Sequence, residues 1–171
     1  MTLPTHGRYA YSAITDRPDF DWPDGKRLAV YLGVNLEHFA FGEGKGAQIG
    51  NAEPPPDVLN YAWRDYGNRV GAWRLIEMLD DLCLPATVLP NSEMYDYAPN
   101  LMAAHRDRGD EIAGHGRTNS ESQSGMTEAE EAAMIAGSSD VIAQGAGQSA
   151  GLQGELFGIN TGRHIQRQHQ R

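Results

Sequence analysis

Two places in the chain carry side chains able to do acid–base or metal chemistry, each after an apolar run, and a third apolar run ends on an asparagine. Glu111-Ile-Ala-Gly-His-Gly-Arg-Thr-Asn119 reads as a short buried strand, Glu111 to Gly114, that ends on a histidine. A strand that delivers an imidazole to its C-terminal edge, into a Gly-rich loop, is how α/β proteins place a catalytic or metal-binding group. Gly114 and Gly116 flank His115 and let a ligand or another backbone come close. The competing reading is a hydrogen-bonded histidine that merely caps the strand. Arg27 to Leu36 (RLAVYLGVNL) is a near-continuous apolar run, as expected of a strand buried on both faces, and it ends in Glu37-His38. A third short strand, Ala86 to Leu89, ends at Pro90-Asn91.

The segments between these strands decide whether the three ends meet. Gly42 to Pro56, with four glycines and a triple proline, is a loop, suited to a lid or specificity loop. Its GEGKG lacks the spacing of a phosphate-binding loop. Trp63 to Arg69 opens a helix, with Asn68 as a candidate N-cap. Val70, Trp73, Leu75, Ile76, Leu79 and Leu82 follow at helical spacing until Pro85 stops it. Ala98 to Arg108 is a second helix, with Leu101, Met102 and His105 on one side and Gly109 as its C-terminal cap. Thr127-Glu-Ala-Glu130 matches a capping box and starts a third helix to about Ala143, with Ala133, Met134, Val141 and Ile142 toward the core.

Strand, loop, helix, strand, helix, strand, loop, helix is the order of parallel βα units. Parallel strands place Glu37, His38, Asn91 and His115 on one rim, which raises the functional reading of His115 over the inert one. Residues 1–26 form a turn-rich lead-in with Phe20 and Trp22 expected to tuck against the domain, residues 27–143 the α/β domain, and residues 144–171 a Gly- and Gln-rich tail expected to be disordered.

The chain has 171 residues, a net charge of -9 and a pI near 5.0. An acidic body argues against nucleic acid or an anionic membrane surface as partner. The single cysteine, Cys83, excludes an internal disulfide and reads as a small buried hydrophobe. No apolar run approaches bilayer length and the N-terminus has no signal-peptide core, so a cytoplasmic location is expected.

Three segments together resemble the polysaccharide deacetylase (NodB-homology) family, in its allantoinase-like branch: VNLEHFAFGEG (34–44), WRDYGNRVGAWRLIEMLD (63–80), and PATVLPN with EIAGHGRTNSE (85–121). The resemblance covers residues 7 to 142. It implies a distorted (β/α) barrel, of which this chain carries about three βα units, and hydrolysis of non-peptide C–N bonds. The substrates it implies are N-acetyl groups on amino sugars or, in the nearer branch, cyclic ureides. In that frame Glu37 is the general base, taking a proton from water with a pKa brought near neutrality by partial burial. His115 stabilises the oxyanion or orients the water. His38 stands where the family has a metal-binding carboxylate, and with His115 could ligate zinc or another divalent ion. Asn119 stands where a second histidine belongs, and amides are poor zinc ligands, so metal-free catalysis is also open.

Arg64, Asp65, Asn91 and Asn119 are candidate substrate contacts. Arg64, Asp65 and Arg69 read equally well as a helix-terminal ion-pair cluster. The family's later motifs have no counterpart after residue 143. The chain alone is therefore expected to be weakly stable and to turn over poorly, or to be an inert fragment that associates through an open sheet edge, with itself or with a full-length relative.

Overall fold

The computed structural model describes residues 7–43 and 56–147. The chain divides into two units, Met1–Val30 and Tyr31–Arg171. In the first, single 3-10 turns at Ile14–Asp16 and Pro23–Gly25 are the regular structure, and Trp22 pairs with Lys26 in an isolated antiparallel bridge. Phe20 and Trp22 meet edge to face at 5.7 Å.

The second unit holds β1 (Gly33–Leu36), α1 (Val58–Tyr66), a π-helical segment (Gly67–Gly71), α2 (Ala72–Asp81), β2 (Thr87–Pro90), α3 (Met94–Tyr97), α4 (Pro99–Arg108), β3 (Glu111–Ile112) and α5 (Glu128–Ala146). The strands form one parallel sheet in the order β1-β2-β3, with Leu36 opposite Pro90 and Val88 opposite Ile112. Parallel neighbours need crossover connections, and the helices between the strands provide them, which makes this an α/β fold.

β1 is shorter than its sequence suggests. The apolar run begins at Arg27, yet Leu28, Val30 and Tyr31 are 76%, 76% and 67% exposed and pairing starts at Gly33. The reason lies in the partner strand. β2 begins only at Thr87, two residues after Pro85, so the ladder has nothing to pair with further back. The helix expected from Trp63 starts earlier, at Val58. Asp57 caps it by accepting from the Asn60 amide at 3.1 Å, and Asn68 lies well inside the helical path. That path continues to Asp81 and widens into a π turn between two glycines, 67 and 71.

The core joins Leu36, Ile76, Val88, Met94, Leu101, Met102, Ile112 and Ile142. Val88, on the central strand, is fully buried. α2 buries Ala72, Ile76 and Leu79, leaving Trp73, Met78 and Leu82 exposed. Cys83, read as a buried hydrophobe, is also exposed, in the turn that follows α2. α4 buries Leu101, Met102 and His105 as its pattern predicts, and Gly109 ends it in the left-handed conformation. His105 Nδ1 lies 2.8 Å from Asp110, and Arg108 ties Asp110 to Leu84 O, fastening the end of α4 to the end of α2. Burial alone would raise the Asp110 carboxyl. The hydrogen bonds from His105 and Arg108 prevail and hold it below its ordinary range.

α5 carries the capping box at Thr127 and Glu130. Its buried face is Met134, Ser138, Ile142 and Ala146, not the face containing Ala133 and Val141. Small residues set this face. Ser138 lies 3.4 Å from the buried Ser92, and at Gly145 the helix backbone passes so close to the Tyr95 ring that a Cβ would run into it. Burial pushes the Tyr95 phenol up to about 12. The tail beyond residue 147 lies outside the described residues. No helix among the described residues is long and apolar enough to cross a membrane.

The Gly145 contact predicts that Gly145→Ala will destabilise the fold by about 1–3 kcal/mol through overpacking. In a Tyr95→Ala background the same change should be neutral or stabilising, because alanine is the better helix former by roughly 1 kcal/mol. Urea denaturation of the four proteins measures this, and equal losses in both backgrounds would contradict the assigned contact.

Candidate active site

The rim is assembled by the backbone before any side chain joins it. Asn91 N donates to Leu36 O at 3.1 Å and His115 N donates to Pro90 O at 2.9 Å, so each strand end is hydrogen-bonded to its neighbour. Asn119 N donates to His38 O at 3.0 Å, folding the loop after β3 back over the end of β1. Gly116 adopts φ of 77°, which a glycine tolerates, and its carbonyl accepts from Ser92 N at 2.9 Å.

Asn91 then ties these pieces together. It is wholly buried. Its Oδ1 accepts from His38 N at 2.8 Å, and its Nδ2 donates to His115 O at 2.6 Å and to Asn119 Oδ1 at 3.1 Å. A side chain so enclosed cannot reach a ligand. Asn91, expected among the substrate contacts, instead holds the rim in register.

Glu37 and His115, 78 residues apart in the chain, meet on this rim, with His115 Nε2 3.3 Å from Glu37 Oε1 and both side chains about one third exposed. The His115 hydrogen bond, its charge, and hydrogen bonds from Asn119 and Asn35 together outweigh partial burial. They hold the Glu37 carboxyl below its ordinary value of 4.5. Burial was expected to bring this group toward neutrality. The donors around it have the larger effect and keep it ionised. Asn119 thus stands between Asn91, from which its Oδ1 accepts, and the Glu37 carboxylate to which it donates. Its carboxamide is a link in the network rather than a free ligand contact.

His38 turns elsewhere. Consecutive residues of an extended chain point to opposite sides. His38 Nδ1 lies 2.9 Å from Thr118 Oγ1 and 2.8 Å from Glu93 Oε2, with its ring edge-on to Tyr97 at 5.3 Å. The two imidazoles expected to share a zinc or other divalent ion therefore have different partners. No group of three or more His, Cys, Asp or Glu side chains among the described residues could hold a metal ion. Among the described residues these side chains do not converge on one point as the ligands of a metal would.

Arg64 lies over the Phe39 ring at 4.2 Å from its centroid. Asp65, with 14% of its side chain exposed, is bound by Arg69 and by the Tyr97 hydroxyl, which favours the ion-pair reading of this cluster. Arg64 and Asp65 nonetheless line a small cleft with Glu37, Phe39, Tyr61, Asn68 and Tyr97, whose volume is about 10 Å³.

Two contributors escape a sequence reading. Asn68, in the π turn, donates to the Glu37 carbonyl at 2.9 Å. Tyr97, at the end of α3, touches His38 and Asp65. The signal for Asn68 is its place between glycines 67 and 71. Tyr97 belongs to no periodic pattern and gives none.

A scan against family models and a search of curated proteins return no match. Solved structures do match. The PuuE allantoinase superposes with a TM-score of 0.64 at 20% identity, over 82% of this chain and 52% of that one. A Mycobacterium smegmatis protein assigned as a polysaccharide deacetylase gives 0.58 at 23% identity, over 75% and 43%. A Pseudomonas aeruginosa PAO1 protein assigned likewise gives 0.58 at 22%, over 69% and 43%. The chain therefore spans about half the length of these structures and shares their fold over that part.

Two outcomes follow. Asn91→Ala leaves two part-buried backbone groups, His38 N–H and His115 C=O, without their partner. It should lower unfolding free energy by on the order of 3 kcal/mol in urea melts; a loss below 1 kcal/mol would show that the clamp is dispensable. Glu37 has a folded pKa below its unfolded one, so its stabilisation is present above about pH 4.5 and is lost as pH falls through the folded value. The stability gap between wild type and Glu37→Gln should accordingly shrink on acidification between roughly pH 5 and 3. A gap constant with pH would refute the assigned hydrogen bonds.

Proposed function

We propose that the chain is part of a hydrolase of the polysaccharide deacetylase family, acting on non-peptide C–N bonds, and that its three strands are an arc of that family's (β/α) barrel. The observation that carries this reading is the Glu37–His115 contact at the C-terminal rim of a parallel sheet whose fold is shared with proteins assigned as deacetylases. The solved allantoinase, also of this fold, supports a second reading as a ureide amidohydrolase using the same residues.

The chemistry this rim supports is attack of water on a planar amide carbon. Glu37, ionised and held by His115, Asn119 and Asn35, accepts the proton of the attacking water. A cleft of about 10 Å³ beside it has room for about one water molecule. A depressed pKa makes Glu37 a weaker base than a neutral-pH optimum requires, so orientation supplies much of the advantage. His115, once Glu37 has taken the proton, is placed to stabilise charge on the attacked carbonyl oxygen. Collapse of the adduct then breaks the C–N bond as Glu37 returns its proton to the leaving nitrogen, giving a carboxylate and the released amine or, for a cyclic ureide, the opened ring.

Acetate release from N-acetylated chitooligosaccharides, measured beside ring opening of allantoin, tests this. Slow turnover of the chitooligosaccharide, as befits an arc of the barrel alone, abolished by Glu37→Gln, is the expected result. Turnover of allantoin alone favours the second reading. Turnover that survives Glu37→Gln, or turnover of neither compound, removes the proposal.

A further inference from the structure

We propose that Asn68 is a positioning residue, one that fixes the peptide between Glu37 and His38 and with it the place of the Glu37 carboxylate beside His115. That peptide lies just past the last rung of the β1–β2 ladder, where Leu36 faces Pro90. The ladder therefore does not hold it, although the two side chains it joins serve different partners. Glu37 turns to His115, and His38 to Glu93 and Thr118. Two carboxamides hold the peptide instead. Asn91 Oδ1 accepts from its N–H at 2.8 Å, and Asn68 Nδ2 donates to its C=O at 2.9 Å.

A trans peptide is planar, and its N–H and C=O point to opposite sides. One hydrogen bond alone leaves the plane free to rock about the line joining the two Cα atoms. Such rocking changes ψ of Glu37 and φ of His38 together and swings both side chains. A second bond on the opposite side stops it. Bond lengths show which contacts fix the carboxylate. The two bonds to the peptide have ordinary N–H···O lengths. His115 Nε2 and Asn35 Nδ2 each lie 3.3 Å from Glu37 Oε1, just beyond the usual range. Contacts that long tolerate displacement, so the clamp on the backbone sets where the carboxylate sits.

The helical path brings Asn68 to this place. Tyr61, Arg64, Asp65 and Asn68 recur at i, i+3, i+4 and i+7, and all four line the small cleft that contains Glu37. The same path is anchored in the core one turn later by Ala72, Ile76 and Leu79. Asn68 is thus carried on a packed helix, while the residue it holds lies in an irregular segment. A group that places another side chain needs that kind of rigid support. Its carboxamide is bonded to the backbone of Glu37, so it acts through Glu37. That Glu37 serves as a base rests on the proposed hydrolase function; the clamp on its peptide does not.

Nuclear magnetic resonance of the full chain tests the clamp without requiring turnover. In the wild type, the Asn68 carboxamide and the Glu37 carbonyl should show scalar coupling across their hydrogen bond. Asn68→Leu keeps the size of the side chain and removes its donor. In that variant the backbone amides of Glu37 and His38 should fall from an order parameter of about 0.85 toward about 0.6, while those of Val88 and Ile112 stay rigid. Gly145→Ala, remote from the rim, should leave Glu37 and His38 ordered, which separates the clamp from a general loss of stability. In acetate release from N-acetylated chitooligosaccharides, Asn68→Leu should lower kcat about tenfold with KM unchanged. Should Asn68→Leu not fold, the smaller Asn68→Ala carries the same expectations, and the wild-type coupling needs neither. Absence of the coupling, retained order in the variant, or lost order with a measurable kcat unaltered overturns the assignment. So does a rise in KM alone, which would make Asn68 a substrate contact. Lost order in a chain whose wild type turns over nothing leaves the clamp standing and removes the hydrolase. Wild-type turnover with both order and kcat indifferent to Asn68→Leu does the reverse.

Discussion

One buried carboxamide fixes the geometry on which the rim depends. Asn91 directly follows the central strand of the sheet, between the ends of both neighbouring strands. Its oxygen takes the N–H of His38 from one side, and its NH₂ group takes His115 O and Asn119 Oδ1 from the other. Both of its N–H donors are in use. In a buried site each such bond is worth more by being made than by its net strength, because its loss strands a desolvated partner. The irregular segments after β1 and β3, with no ladder of their own there, are thereby held at fixed positions.

The Glu37–His115 pair follows from that clamp. Asn91 fixes the backbone of His115 and, through Asn119, supplies one of the donors that reach Glu37. Partial burial pulls the carboxyl pKa upward and the donors pull it down, and the donors win. A rim of this kind favours precise placement of an ionised carboxylate over high basicity. It also separates the two histidines. His115 serves the carboxylate, while His38 is drawn into a cluster with Thr118, Glu93 and Tyr97 beside the loop after β3.

The sequence conveys some of this directly. Three apolar runs each ending on polar groups, with helices between them, identify three parallel strands and place Glu37, Asn91 and His115 on one edge. Helix ends with local chemistry are also readable, as the Thr127–Glu130 capping box and Gly109 show. What is illegible depends on partners distant in the chain. The N-terminal half of the Arg27–Leu36 run has strand composition but no strand opposite it. Val141 looks like core and Ser138 does not, yet close approach to Ser92 and Tyr95 selects the small residues. The role of Asn91 is hidden for the same reason, since an asparagine after a strand reads as a loop residue until three acceptors and donors converge on it.

The π-helical segment shows how one local irregularity borders both the Glu37 cleft and a surface groove lined by Asn68, Arg69, Trp73, Tyr97 and Asn100. A π turn inserts an extra residue into a helix and shifts the faces that follow it. Here the insertion falls at Gly67–Gly71, between α1, which contributes Tyr61, Arg64 and Asp65 to the Glu37 cleft, and α2, which contributes Trp73 to the groove. Asn68 and Arg69 lie within the widened turn. Asn68 reaches inward to the Glu37 carbonyl, and Arg69 is held by Asp65 one turn earlier. A regular helix through the same residues would turn Trp73 by about 100° relative to Asp65, the rotation of a single residue. Glycines at both ends of the turn remove side chains where the backbone departs from α-helical geometry. The helix gives up regular hydrogen bonding at that point, and what it gains is a shared wall between the cleft and the groove.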